Sequence, residues 1–160
     1  MILAYNTMIS AEPQSREPRL HVLLMDDDHN DRALLGMAVD KTDLNIWLQS
    51  VTDGQEAIDY LEGRKGYVDR SMHPLPDLVL SDLNMRMTSG LEFLVWRRSS
   101  RLFSSLPVLI LSGSVHEGAI AEALIMGASR FIAKPFAFED WKAVARQIWE
   151  FGMECQQAVR

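Results

Sequence analysis

Three consecutive acids, Asp26, Asp27 and Asp28, follow the apolar run LHVLLM, and another, Asp82, follows DLVLS. If those runs are parallel strands, the residues just past their C-terminal ends meet on one edge of the sheet, where open α/β sheets bind ligands. Clustered carboxylates raise one another's cost of ionisation unless a cation compensates. A hard divalent ion meets that need. Mg²⁺ takes oxygen ligands, keeps several waters, and commonly uses one or two carboxylates together with a substrate phosphate. Two complementary groups end other apolar runs, Ser112 within LILSGS and Lys134 within IAKPF. An ammonium pairs with a carboxylate or with phosphoryl oxygens, and a hydroxyl can bond the same oxygens. Taken singly, each has an ordinary explanation: an acid after a strand caps a helix, a lysine is solvated, a serine bonds local backbone. Their joint occurrence at strand ends describes an anion site beside a cation site.

The elements that must position these groups follow from periodicity. From Leu20 the chain alternates short apolar runs with helical patterns, the signal for parallel strands joined by crossover helices and hence for an α/β fold. Strands are expected at Leu20–Met25, Leu44–Val51, Leu78–Ser81, Val108–Ser112 and Phe131–Ala133. Most are continuous runs suited to burial on both faces. Leu44–Val51 instead alternates, as an edge strand does. Helices are expected at Asp31–Asp40, Gln55–Glu62, Ser89–Ser99, Glu117–Met126 and Phe138–Phe151. Asp53 and Glu56 have capping-box spacing, and Gly127 follows the apolar face of Ile120, Leu124 and Ile125 as a C-cap does. In the last helix Phe138, Trp141, Val144, Ala145 and Ile148 form one apolar stripe. Trp149 and Phe151 fall partly off it, either as surface aromatics that would suit a symmetric homodimer through this helix or as rings packed on the sheet edge or the N-terminal lead-in. The segment Gly63 to Pro76 carries too much Gly, Pro and charge for a regular element and is expected to be a long loop.

Composition narrows the classes. A chain of 160 residues, 48% of them hydrophobic, matches one globular domain. A net charge of -6 argues against direct nucleic-acid binding. The single cysteine, Cys155, has no partner for a disulfide or a zinc site, which suits the cytoplasm. No segment reads as a secretory signal or a membrane span. Residues 1–18 are expected to be a flexible lead-in, 19–152 the domain and 153–160 a tail, with no output domain. The RRSSR cluster from Arg97 to Arg101 reads as a solvated helix end that could also dock an acidic surface.

The motifs VLLMDDDHNDR, DLVLSDLNM followed by Gly90, LILSGS and RFIAKPF closely resemble the response-regulator receiver family, of which CheY is the best-known member. The resemblance implies a doubly wound, flavodoxin-like sheet of strand order 2-1-3-4-5 with five helices. It implies a non-enzymatic role as a signalling phosphoacceptor, with at most self-catalysed phosphorylation and dephosphorylation. Asp82 would take the phosphoryl group. Asp26 and Asp27 would form the acidic pair that binds Mg²⁺ with Asp82, and Asn84 would add its backbone carbonyl. Ser112 would be the hydroxyl switch, Phe131 the aromatic switch and Lys134 the lysine of the site. The Lys134–Pro135 bond could be cis, aiming the lysine inward, or a trans turn. Arg86 stands where the family commonly has proline. The implied partners are a sensor histidine kinase or a phosphotransfer protein. The long loop after YLEGRKGYVDR begins is similar to that of single-domain regulators of phytochrome-type kinases. Two other readings are a degenerate receiver that acts as a constitutive interaction module and a Mg²⁺-dependent aspartyl phosphatase. An enzyme of the latter kind wants a second acid where this chain has Asn84.

Overall fold

The computed structural model describes residues 19–113 and 116–158, so the lead-in expected at residues 1–18 lies outside the described residues. Its strands are β1 Leu20–Met25, β2 Ile46–Val51, β3 Leu78–Ser81, β4 Val108–Ser112 and β5 Arg130–Ala133. They form one sheet of order β2-β1-β3-β4-β5, and every neighbouring pair is parallel. The connecting helices are α1 His29–Asp40, α2 Gly54–Glu62, α3 Gly90–Ser99 and α4 Glu117–Ile125, with α5 Phe138–Ala158 last. This is the doubly wound α/β architecture expected, with β2 at an edge.

The continuous apolar runs are strands because both their faces are covered. Nearly all of β1 and every residue of β3 and β4 are buried. On one face Leu20, Val22 and Leu24 of β1 pack with Leu35 of α1 and with Trp141 and Ile148 of α5. On the other, Leu23 and Met25 pack with Ala57 and Leu61 of α2 and Phe93 of α3. β2 starts later than its alternation predicts. The N–H of Ile46 donates to the carbonyl of Leu44 in a tight turn, 2.9 Å, so Leu44 lies outside the ladder.

Several other expectations change. α5 runs to Ala158, through the boundary placed at 153. Its buried set of Trp141, Val144, Ala145, Ile148 and Phe151 keeps helical spacing, so Phe151 continues the stripe, and Trp149 is half-buried against the same core. The two aromatics are therefore not free surface rings. α4 departs in the opposite sense. Leu124 and Ile125 are exposed, Ile120 is half-buried, and Ala123 alone is buried, so the apolar stripe is not what docks this helix. Gly127 does follow α4 with a left-handed φ of 105°.

Arg97 is buried, which removes it from any solvated basic cluster. Its guanidinium donates to the carbonyls of Ser104, Leu106 and Gly127 at 2.7–3.0 Å, clamping the end of α3 to the loops before β4 and β5. The 63–76 segment is a loop with one short 3-10 turn at Lys65–Tyr67. It is tied down by Arg70, which donates to the carbonyls of Tyr60, Leu61 and His73, and by the Tyr60 hydroxyl on the carbonyl of Pro74. No cis peptide occurs among the described residues, so Lys134–Pro135 is trans. Lys134 reaches the sheet edge nonetheless, drawn by the carboxylates there.

Candidate functional site

The sheet order reverses between β1 and β3, which opens a crevice at their C-terminal ends. Backbone bonds carry the sheet one residue past its strands and so fix the functional groups. The N–H of Asp26 donates to Val51, that of Asp82 to Met25, and that of Lys134 to Ser112, at 3.0–3.1 Å. Asp26 and Asp82 thus stand side by side on the central strands, with Lys134 two strands away. α3 must also approach closely. A Cβ on Gly90 would lie 2.4 Å from the carbonyl oxygen of Asp82, so only glycine lets the helix begin there. Ser89 and Glu92 close a reciprocal capping box at that start.

Asp82 is 8% exposed, and both its carboxylate oxygens are engaged. Oδ1 accepts from the N–H of Asn84 at 3.0 Å and from the Ser112 hydroxyl at 3.1 Å. Oδ2 accepts from Lys134 Nζ at 2.7 Å. The same ammonium lies 2.7 Å from Asp26 Oδ2 and 2.8 Å from Asp31 Oδ2. Burial alone would lower the Lys134 pKa. The hydrogen bonds to Asp26, Asp31 and Asp82 outweigh it, and the pKa rises above the ordinary lysine value. Asp26 is raised, chiefly by desolvation, even though Lys134 and the N–H of Asp28 favour its anion.

Asp27 faces the open side of the crevice, where its Oδ2 accepts from the N–H of Arg86 at 3.1 Å. Asn84, Arg86 and Met87 form one wall of the cleft here, Thr52 and Asp53 the other. Oxygens of Asp26, Asp27 and Asp82 all lie within 4.8 Å of one another. Three carboxylates, one of them exposed, form the all-oxygen, incomplete donor set that a Mg²⁺ retaining several waters would take. Asp28 has a different role. Its side chain accepts from the N–H groups of Asn30 and Asp31, capping α1. Phe131 is half-buried on β5, packed against the core on the α2–α3 side.

Of the residues singled out in the sequence, Asp26, Asp27, Asp82, Asn84, Ser112 and Lys134 come together, and Phe131 lies on the strand beside Ser112. Asp31 was not foreseen. An acid in the first turn of a helix is explained by the helix dipole, and only the reach of Lys134 across the edge reveals its second partner.

Residues 22–146 match the model of the response regulator receiver domain, and the chain belongs to that family. Among solved structures it is similar to the phosphorylated cyanobacterial phytochrome response regulator RcpA, with 26% identity and a TM-score of 0.75 over 85% of this chain and 95% of that one. It is also similar to the response regulator RPA3017 in red light signalling of R. palustris, with 30% identity and a TM-score of 0.77 over 82% and 92% of the two chains. Among curated proteins it is 28% identical over 131 residues to the probable methanogenesis regulatory protein FilR2 of Methanothrix harundinacea (strain 6Ac), covering 81% of this chain and 82% of that one. Two other curated relatives are longer, and this chain spans 30% and 51% of them. Among the described residues no helix is long and apolar enough to cross a membrane.

Proposed function

We propose that this receiver domain is a phosphoacceptor switch in which Asp82 takes a phosphoryl group, with Mg²⁺ bound, from a sensor histidine kinase or a phosphotransfer protein. The observation that carries the reading is the convergence on Asp82 of Lys134, Ser112 and the Asn84 N–H, beside two further acids. Mg²⁺ would be held by Asp26, Asp27, Asp82 and the Asn84 carbonyl, and would neutralise charge on the equatorial phosphoryl oxygens.

The remaining work falls to the chain. The Asp82 carboxylate attacks phosphorus in line, an acyl phosphate bond forms, and the bond to the donor nitrogen breaks with its electron pair returning to that nitrogen. Lys134 faces the developing charge at short range, with its side chain and that of Asp82 both about nine-tenths buried, where electrostatic stabilisation is strong. The product carries close to two negative charges. Ser112, already bonded to Asp82, follows the new oxygens, and Phe131 fills the space that the hydroxyl leaves.

Similarity to RcpA and RPA3017 supports a phytochrome-type kinase as the donor. A homodimer through α5 would rest on Trp149, which is half-buried, and not on Phe151, which is buried. The test is incubation with Mg²⁺ and acetyl phosphate followed by intact-mass measurement. One phosphoryl adduct is expected on the wild type and none on Asp82→Asn. A wild type that stays unmodified removes the reading and leaves a receiver that acts as a constitutive interaction module.

A further inference from the structure

We propose that Asp31 is a positioning residue that holds Lys134 at the site while Asp26 and Asp82 are engaged elsewhere, an inference that rests on the phosphoacceptor reading. An ammonium has three N–H donors; Lys134 donates to Asp31 at 2.8 Å and to Asp82 at 2.7 Å, and it is ion-paired with Asp26 at 2.7 Å. Three carboxylates thus crowd the head that an incoming phosphoryl oxygen must approach, and some of these contacts loosen when Lys134 acts on the reacting group.

The three partners are not equivalent. Asp26 and Asp82 belong to the trio whose oxygens gather within 4.8 Å, so a cation draws on both. Asp82 is also the group that changes chemically. Asp31 is outside the trio. It sits in the first turn of α1, a helix fixed by the Asp28 cap. Lys134 follows directly on β5, held by its N–H on the Ser112 carbonyl, and precedes an exposed stretch carrying Phe136, so its long side chain relies on its carboxylate partners for its position. With Asp31 in place, releasing the other two contacts frees donors without freeing the lysine. Without it, the same release lets a long flexible side chain leave a crevice where it is 9% exposed.

The competing account of Asp31 is that an acid near a helix N-terminus only complements the dipole. Two variants separate them. Asp31→Asn removes the charge. Asn30→Asp/Asp31→Asn restores an acid to the first turn at an exposed neighbour while withholding it from Lys134. Three measurements are made: the rate of adduct formation with acetyl phosphate, the Mg²⁺ dissociation constant by calorimetry, and the ¹⁵Nζ signal of Lys134 in Mg²⁺-saturated protein.

Both variants are expected to react at least fivefold more slowly than the wild type, to bind Mg²⁺ within threefold of it, and to lose the Lys134 signal to solvent exchange. Asp31→Glu should recover most of the rate. A rate within twofold of wild type in Asp31→Asn, or its recovery in the double variant, overturns the proposal. The nuclear magnetic resonance arm needs no phosphorylation, so it still decides the role of Asp31 if the wild type proves unreactive.

Discussion

Lys134 is the counter-charge to the buried acids of the site. Three formal negative charges, on Asp26, Asp31 and Asp82, lie within 2.8 Å of one ammonium. Removing one partner of a buried ionic group leaves the others uncompensated at low dielectric, a cost of roughly 3 kcal/mol. Lys134→Met should therefore lower the unfolding free energy from urea melts in Mg²⁺-free buffer by about that amount, and millimolar Mg²⁺ should recover part of it by giving the acids another cation. Equal stability of variant and wild type without Mg²⁺ would show that the acids are not strained by their proximity. Most of this cluster is legible in the sequence because its members end strands, and a parallel sheet gathers strand ends on one edge. Asp31 is not, since its identity fits a local role and its second partner lies 103 residues away. Arg97 fails in the same way. Among basic neighbours it reads as solvated charge, and nothing local shows that the carbonyl of Gly127, 30 residues on, takes its guanidinium.

At the scale of elements, the β2–α2 corner joins the cleft to the 63–76 loop. Thr52 and Asp53 line the cleft, and Glu56, one turn into α2, accepts from Thr52 twice and from the Tyr67 hydroxyl at 2.6 Å. Burial would raise the Glu56 pKa, but the bonds from Tyr67 and Thr52 outweigh it and hold the carboxyl below its ordinary value. A depressed folded-state pKa means that the folded protein binds fewer protons than the unfolded chain. The stabilisation is complete above the ordinary glutamate pKa of about 4.3 and is lost as pH falls through the folded value. Tyr67→Phe should cost about 1 kcal/mol near neutrality, and the gap to wild type should narrow as pH falls from about 6 to about 3 in urea melts. A gap that widens on acidification would assign Tyr67 a packing role alone, through its ring contacts with Tyr60 and His73. The sequence shows this segment only as a loop. Its anchoring depends on pairings such as Tyr67 with Glu56 that carry no periodic signal.

For the whole molecule, the two layers of helices are unequally bound to the sheet. α1 and α5 cover one face, where α5 alone buries Trp141, Val144, Ala145, Ile148 and Phe151. On the other face α2 and α3 bury Leu61, Phe93 and Leu94, whereas α4 contributes Ala123 and leaves Leu124 and Ile125 in solvent. Helical spacing in the sequence identifies an apolar face on α4 without saying what covers it, and in the structure Leu124 and Ile125 of that face are exposed while Ile120 is half-buried. An alanine buries little area, so at about 25 cal/mol per Å² α4 is held by far less than α5. Local opening follows local burial. The helix that follows Ser112 in the chain is then the one whose position costs least to change, the property a switch element needs. Hydrogen exchange should show α4 amides opening at about 2 kcal/mol or more below those of α5, with α1 and α5 the best protected helices. On phosphorylation of Asp82 the largest change in protection should fall on α4. Protection of α4 equal to that of α5, before and after phosphorylation, would mean that the signal leaves Asp82 through another element, and the anchored 63–76 loop beside the cleft is the next to examine.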